Sequence, residues 1–122
     1  MKKILVIDDD DMNRDILVRR LEKSGFNVEI AKSGEDGVEM VKATPIDLVL
    51  LDVRMTGMDG WQTAREIRKM KGTSLRIIAF SASGGATDRK ASVQAGCDEF
   101  IAKPFVFDEL IARIEELINT AA

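Results

Sequence analysis

Histidine is absent from this chain of 122 residues, and cysteine occurs only once, as Cys97. The absence of histidine excludes a histidine general base, a histidine metal ligand and a phosphorylated histidine within the chain. A single cysteine cannot form an internal disulfide bond, which favours a reducing compartment. We therefore interpret Cys97 as a small, partly buried apolar residue.

Long apolar runs and basic clusters are also missing. No stretch approaches the roughly 20 apolar residues that cross a membrane, and the run at residues 4–7 is too short for the core of a signal peptide. The net charge is −3 and the basic residues are scattered, whereas a nucleic-acid-binding face needs a basic stripe. We expect a cytoplasmic protein that contacts neither a membrane nor nucleic acid directly.

The sequence alternates between short apolar runs and amphipathic stretches. Continuous apolar runs at residues 4–7, 48–51 and 77–80 predict strands buried on both faces, and residues 100–102 predict a further short strand. Residues 27–30 alternate between polar and apolar, which is typical of a half-exposed strand at a sheet edge. Helical spacing and capping residues predict helices at about 12–23, 33–43, 61–72, 87–95 and 110–118, with Ile16, Leu17 and Leu21 on one buried face of the first.

This alternation of strands and helices predicts an α/β fold with a five-stranded parallel sheet and helices on both faces. It is compatible with the doubly wound, flavodoxin-like strand order 2-1-3-4-5. The length suits one domain, so we expect residues 1–122 to form a single unit.

Charged and polar side chains follow four of the five predicted strands. Asp8 and Asp9 follow the first strand, Asp52 the third, Ser81 the fourth and Lys103 the fifth. The carboxyl ends of parallel strands meet at one edge of a sheet, where ligands bind. Clustered carboxylates repel one another unless a cation intervenes, and Mg²⁺ prefers such oxygen ligands together with water. With a lysine and a hydroxyl nearby, this set can stabilise a transferring phosphoryl group, and an aspartate can itself be the nucleophile.

Four segments of the sequence resemble the signature segments of response-regulator receiver domains, the CheY-like family of two-component signalling. They occur in the family's order and cover essentially the whole chain. They are Val6-Ile7-Asp8-Asp9 with Arg14, Leu50-Leu51-Asp52 with Met55, Met58, Asp59 and Gly60, Phe80-Ser81-Ala82, and Phe100-Ile101-Ala102-Lys103-Pro104-Phe105 after Ala95-Gly96. One position departs from the pattern, since Thr56 stands where the family usually has proline.

The resemblance implies that Asp52 accepts a phosphoryl group from a phosphohistidine on a partner histidine kinase or histidine phosphotransfer protein. It implies a Mg²⁺ cofactor, with Mn²⁺ as a substitute. Asp9 would bind the metal directly and Asp8 largely through water, and Asp52 and the backbone carbonyl of Arg54 would complete the protein ligands. The side chain of Arg54 would also bias the lifetime of the acyl phosphate.

The resemblance also implies a switch. Lys103 would contact the phosphoryl group and precede a cis peptide bond to Pro104. Ser81, with the small residue Ala82 after it, would move to the phosphoryl oxygens, and Phe100 would rotate inward. The rotation would change the face that binds a downstream protein target, in a monomer or a weak phosphorylation-dependent dimer. Such a protein is no enzyme in the usual sense, since it catalyses only its own phosphorylation and dephosphorylation.

Simpler readings exist for several of these residues. Asp10 and Asp11 are interpreted as an acidic helix start, and Arg14 as a solvated helix charge. Phe100 could be an ordinary core residue. Cap-bearing phosphatases of the haloacid-dehalogenase type are a rival, because Asp8-x-Asp10 follows a strand, although Met12 does not fit their motif. A pseudo-receiver that is never phosphorylated is a second rival, and the sequence leaves open whether the domain stands alone or belongs to a longer chain.

Overall fold

The alternating pattern of the sequence is realised as five strands and five α-helices in the computed structural model, which describes residues 2–53, 59–81 and 86–119. The strands are β1 (Lys3–Ile7), β2 (Asn27–Ala31), β3 (Leu48–Asp52), β4 (Arg76–Ser81) and β5 (Glu99–Ala102). The helices are α1 (Asp11–Lys23), α2 (Gly34–Ala43), α3 (Gly60–Lys71), α4 (Ala86–Ala95) and α5 (Phe107–Asn119), and a short 3₁₀ turn (Gly72–Ser74) follows α3. The predicted elements are confirmed, with boundaries shifted by a few residues.

All neighbouring strands are parallel, and the sheet order is β2-β1-β3-β4-β5, as predicted. The continuous apolar runs form the three central strands, and the residues of β3 are all buried. The alternating run forms the edge strand β2, whose residues are mostly half-buried or exposed. The physical reason is that a central strand of a parallel sheet is covered on both faces, whereas an edge strand is covered less.

Two apolar cores lie on opposite faces of the sheet, because successive strand residues point to opposite sides. The α2–α3 core joins one set of strand residues to those two helices, and consists mainly of Leu5, Ile7, Val49, Leu51, Ile77, Val38, Val41, Ala64 and Ile67. The α1–α5 core joins the other set to α1 and α5, and consists mainly of Ile4, Val6, Leu48, Leu50, Ile78, Phe80, Leu17, Leu21, Leu110 and Ile114. With both faces covered, the carboxyl ends of the strands are where a ligand can reach the sheet.

Two predictions about α1 are wrong. Ile16 was expected on the buried face, but it is 49% exposed. The helix buries Arg14, Leu17 and Leu21, which are spaced by three and four residues, and Ile16 lies one residue off that stripe. Arg14 was expected in solvent, yet it is only 4% exposed.

Other local predictions are confirmed. The Asp10 side chain caps α1 by accepting from the Asn13 backbone N–H, and Ser33 caps α2 by accepting from that of Asp36. Cys97 is partly buried and packs against the α2–α3 core, and this burial raises the pKa of its thiol to about 12. None of the helices in the described residues has the length and apolar character that crossing a membrane requires.

Gly60 allows the first turn of α3 to approach the end of β3 closely. A Cβ atom added at Gly60 would lie 2.2 Å from the Cα of Val53, the residue after Asp52. Backbone cannot move away as easily as the end of a side chain. The glycine therefore fixes the spacing between α3 and the strand that carries Asp52.

We predict that Gly60→Ala lowers the free energy of unfolding by about 1–3 kcal/mol, as for other overpacked positions. Gly37→Ala is the matched control, because the three atoms nearest to its added methyl all belong to the Ile7 side chain rather than to backbone, and the alanine favours the helix. Urea denaturation of both variants measures the difference. A Gly60→Ala loss no larger than that of Gly37→Ala contradicts the assigned close approach.

Candidate functional site

The strand register brings four of the predicted site residues to one edge of the sheet. Asp52 ends β3 and Ser81 ends β4, while Asp8 and Lys103 directly follow β1 and β5. Ile7 pairs with Leu51, so Asp8 and Asp52 are neighbours across the β1–β3 pair. The backbone N–H of Lys103 donates to the carbonyl of Ser81 at 2.8 Å, which ties the end of β5 to the end of β4.

Lys103 reaches across β4 to Asp52. Its Nζ lies 3.4 Å from Oδ2 of Asp52 and 4.8 Å from the centre of the Phe80 ring. Asp52 is only 6% exposed, so its charge is in an environment of low polarity where a nearby ammonium matters more than in water. The arrangement places a cation beside a buried carboxylate that can act as a nucleophile.

Asp8 is a buried carboxylate whose hydrogen bonding is incomplete. Its Oδ1 accepts from the backbone N–H of Asp10 at 2.9 Å, whereas Oδ2 is buried and finds no hydrogen-bond partner in residues 2–53, 59–81 and 86–119. Burial raises the pKa of Asp8 to about 6; the Asp10 N–H and Lys103 oppose this shift, and the charges of Asp52 and Asp9 add to it. A bare oxygen among like charges is a group that a cation would stabilise.

The donor set fits a hard divalent cation. Asp9 is half-buried, and its charge and that of Asp52 both raise the pKa of Asp8, so carboxylates that follow β1 lie near the carboxylate that ends β3. Within the part of the chain that the structure describes, no group of three or more His, Cys, Asp or Glu side chains is placed to hold a metal ion by itself. Mg²⁺ does not need such a group, because it is usually bound by one or two carboxylates with water. The remaining predicted ligand, the carbonyl of Arg54, lies outside the described residues.

Arg14 belongs to the site as a buried side chain, although the sequence, which groups it with the first acidic segment, suggested a solvated charge. Its Nη1 donates to the backbone carbonyl of Asp8 at 2.8 Å, and its Nη2 pairs with the carboxylate of Asp11. The same guanidinium lowers the pKa of Asp11. Arg14 therefore fixes the turn between β1 and α1. The signal for this role is its spacing of three residues from Leu17, which puts it on the buried face of the helix.

The two predicted switch residues are both buried. Ser81 is fully buried at the end of β4. Phe100 is 6% exposed and packs with Val53 and Ala79, with the Arg89 guanidinium 5.4 Å from the centre of its ring. The ring is thus already inside, and the inward rotation, which is a change between two states, stays a prediction.

Of the predictions for the chain near these residues, the cis peptide bond is confirmed, and several others fall outside the described residues. The peptide bond between Lys103 and Pro104 is cis. Ala82 lies outside the described residues, as do Thr56 and Met58 of the phosphoacceptor segment.

An apolar cleft of about 550 Å³ opens beside Asp8 and Lys103. Its walls include Ile16 and Leu17 of α1, Phe80 of β4, and Phe105 from the segment between β5 and α5. No sequence pattern predicts this cleft, because it forms only where α1 and the β5–α5 segment meet across the end of the sheet. Asp8 and Lys103 therefore line one side of an otherwise apolar cleft that is open to solvent.

Comparison with protein families and curated proteins supports the resemblance. A family model described as the response regulator receiver domain matches residues 4–115. The response regulator MprA of Mycolicibacterium vanbaalenii is 36% identical over 117 residues, which cover 96% of this chain and 50% of that protein. MprA of Mycobacterium leprae is 38% identical over 117 residues, with coverages of 96% and 51%. The chain spans about half the length of the curated relatives it matches.

Solved structures agree with the fold and include one with a metal. A CheY-like response regulator receiver domain protein from Methanospirillum hungatei has a TM-score of 0.92 at 27% identity, covering 98% of this chain and 94% of that one. The response regulator TrrA of Thermotoga maritima, in complex with Mg²⁺-BeF, has a TM-score of 0.87 at 36% identity, with coverages of 96% and 99%.

The raised pKa of Asp8 predicts an unusual pH dependence of stability in metal-free protein. The folded state holds this proton up to pH 6 or so, whereas the ordinary value of the group is 3.8. Below pH 3.8 Asp8 is protonated in both the folded and the unfolded state and does not oppose folding. As the pH rises through 6, Asp8 has to ionise in its buried site, and the folded state loses stability. We expect Asp8→Asn to be more stable than wild type by on the order of 2 kcal/mol at pH 7.5 and to lose that advantage near pH 4.5.

Urea denaturation in EDTA at both pH values measures this difference. Asp15→Asn, which neutralises an exposed carboxylate on α1, is the matched control and should behave as wild type. An Asp8→Asn advantage that is the same at both pH values argues against a protonation of Asp8 near pH 6.

Proposed function

The chain belongs to the response regulator receiver family, and from this premise we propose that it is a phosphorylation-controlled switch whose phosphoacceptor is Asp52. The observation that carries the proposal is the 3.4 Å approach of the Lys103 ammonium to the buried Asp52 carboxylate. Beside them lies the Oδ2 of Asp8, which has no hydrogen-bond partner among the residues that the structure describes. The proposed donor is a phosphohistidine of a histidine kinase or phosphotransfer protein. The proposed location is the cytoplasm.

The proposed chemistry is a transfer in line with the bond that breaks. An Asp52 carboxylate oxygen attacks phosphorus, the P–N bond to the donor imidazole breaks, and its electron pair stays on that nitrogen, which then takes a proton from solvent. The product is an acyl phosphate on Asp52. Attack of water on phosphorus later releases inorganic phosphate and restores the carboxylate. Asp9, Asp8 and Asp52 would hold Mg²⁺, which would supply positive charge to neutralise the phosphoryl oxygens.

Lys103 and Ser81 provide the remaining partners for the phosphoryl group. Phosphorylation adds up to about two negative charges and three acceptor oxygens, so new donors are needed. Lys103 already lies beside Asp52 and needs little movement to contact a phosphoryl oxygen. Ser81 is on the adjacent strand and leads toward α4, so recruiting its hydroxyl would move the segment before that helix. The switch then favours one of two existing conformations.

The proposed output is a change in the surface near α4 and β5 that a downstream protein binds. Phe100 of β5 packs in one cluster with Val53, which follows the phosphoacceptor, and with Trp61 of α3. The rings of Trp61 and Phe100 are 6.3 Å apart. A movement of Phe100 would therefore reach Trp61, whose fluorescence can report it. Phosphorylation-dependent dimerisation, if it occurs, would use the same change.

The two rivals are less well supported. A haloacid-dehalogenase mechanism would need Asp10 as a catalytic acid, but the Asp10 side chain is exposed and caps α1 through Asn13. A pseudo-receiver would have no use for a lysine paired with a buried aspartate. Self-phosphorylation and self-dephosphorylation, rather than turnover of a separate substrate, are the chemistry that the site favours.

We predict that acetyl phosphate and Mg²⁺ add one phosphoryl group to wild type and none to Asp52→Asn. Asp10→Asn is the matched control, since it makes the same change in the neighbouring acidic run and asparagine caps a helix as well as aspartate. Intact-mass measurement reads the result. Labelling that survives Asp52→Asn but is lost in Asp8→Asn would instead support the phosphatase rival.

We also predict that Ser81→Ala accepts the phosphoryl group but loses most of the associated change in Trp61 fluorescence, because the hydroxyl that links Asp52 to the α4 side is gone. Ser92→Ala removes another buried hydroxyl, on α4, and should keep the change. Fluorescence and intact mass are followed on the same samples. A full fluorescence response in phosphorylated Ser81→Ala removes Ser81 from the proposed switch.

A further inference from the structure

Phe80 contacts Lys103 directly. It is the penultimate residue of β4, its side chain is buried in the α1–α5 core, and the Lys103 ammonium lies over its ring, 4.8 Å from the ring centre. The ammonium thus lies between an aromatic face and the Asp52 carboxylate. We infer that Phe80 is a positioning residue for phosphoryl transfer, holding Lys103 over its ring within reach of Asp52. This inference rests on the proposed function.

The carboxylate alone is a weak restraint on Lys103. The distance from Nζ to Asp52 Oδ2, 3.4 Å, is at the long end for a hydrogen bond, and the Lys103 side chain is 24% exposed. A lysine side chain is long and flexible, so one such contact leaves it much freedom. The ring face adds a second attraction from another direction, because the π-electrons of an aromatic ring attract a cation within about 6 Å of the centre.

The ring contact also remains when the carboxylate changes. Once Asp52 carries a phosphoryl group, the ammonium has to turn from a carboxylate oxygen to a phosphoryl oxygen. Phe80 is uncharged and belongs to the strand, so it can hold the ammonium in both states. Keeping a catalytic group in place before the reaction lowers the entropic part of the barrier.

Neighbouring rings fix the orientation of Phe80. Phe105 lies two residues after Lys103 and meets Phe80 at 6.2 Å and 65°, edge to face. Phe107 meets Phe105 in the same manner at 5.4 Å and 70°, and the Arg20 guanidinium of α1 lies 4.4 Å from the centre of the Phe107 ring. The segment after β5 therefore contacts Phe80 twice, through Lys103 and through Phe105.

A purely structural role for Phe80 makes a different prediction. A core position tolerates another apolar side chain of similar volume, whether or not that side chain is aromatic. An attraction between the ring face and the ammonium weakens as fluorine atoms withdraw electron density from the ring, although the ring keeps its shape. Phosphorylation rates of ring-fluorinated proteins separate the two roles.

The test measures the rate constant for phosphorylation of Asp52 by acetyl phosphate at saturating Mg²⁺, using the full chain. Phenylalanine analogues with one, two and three ring fluorines are placed at position 80 alone, and Phe80→Leu is made beside them. Phe26→Leu is the matched control, because Phe26 packs against the same core but precedes β2, at the opposite end of the sheet. We expect the rate to fall stepwise with fluorination and about three- to thirtyfold in Phe80→Leu. Phe26→Leu should match wild type.

A second arm asks whether Phe80 acts through Lys103. In a Lys103→Met background, Phe80→Leu should change the residual rate by less than about twofold, since coupled residues are not additive. Wild type that acquires no phosphoryl group on Asp52 overturns the proposed function itself. Wild type that is phosphorylated, with all three fluorinated proteins at its rate, overturns this inference alone. If Phe80→Leu does not fold, the fluorinated series decides, because it preserves the packing.

Discussion

Carboxylates clustered at one end of a parallel sheet cannot all be ionised and buried from solvent unless positive charge lies close to them. The register of β1 and β3 makes Asp8 and Asp52 neighbours, and burial raises the pKa of Asp8 to about 6. Lys103 supplies one cation. A second cation would stabilise Oδ2 of Asp8, which finds no hydrogen-bond partner in the described part of the chain. The other features of the site, including the proposed need for Mg²⁺, follow from this electrostatic constraint.

Packing in the rest of the fold offsets the unfavourable electrostatic energy of the site. Two apolar cores cover both faces of the central strands, and Gly60 lets α3 pack against the residue after Asp52. Arg14 fixes the first acidic turn through the carbonyl of Asp8 rather than through its carboxylate. The acids therefore stay in place although they repel one another. A functional site that is locally unfavourable and held by its surroundings is a general feature of proteins.

The sequence predicted the strands, the edge position of β2 and the end of the sheet where the site residues lie, because each depends on a local pattern. The full strand order was compatible with the sequence but did not follow from any local pattern. Continuous apolar runs specify central strands, and the residues after Ile7, Leu51 and Ala102 must then meet. Arg14 and Ile16 were misassigned because the rotation of α1 is set by tertiary packing. The contact between Phe80 and Lys103 was also missed, since it joins residues from different strands that no periodicity links.

The end of β4 offers a structural basis for the two proposed roles of the site, phosphoryl transfer and signalling. Successive residues of a strand face opposite sides of the sheet, so Phe80 lies on the α1–α5 side and Ala79 on the side where Phe100 packs. Lys103 contacts Phe80 on the α1–α5 side of the sheet. The proposed conformational change that starts at Ser81 would instead reach the side where Phe100 packs. Because Asp52 pairs with Phe80 in the register, a phosphoryl group there would be within reach of both. The sheet would thus separate the residues that we propose set the rate of transfer from those that we propose transmit its result.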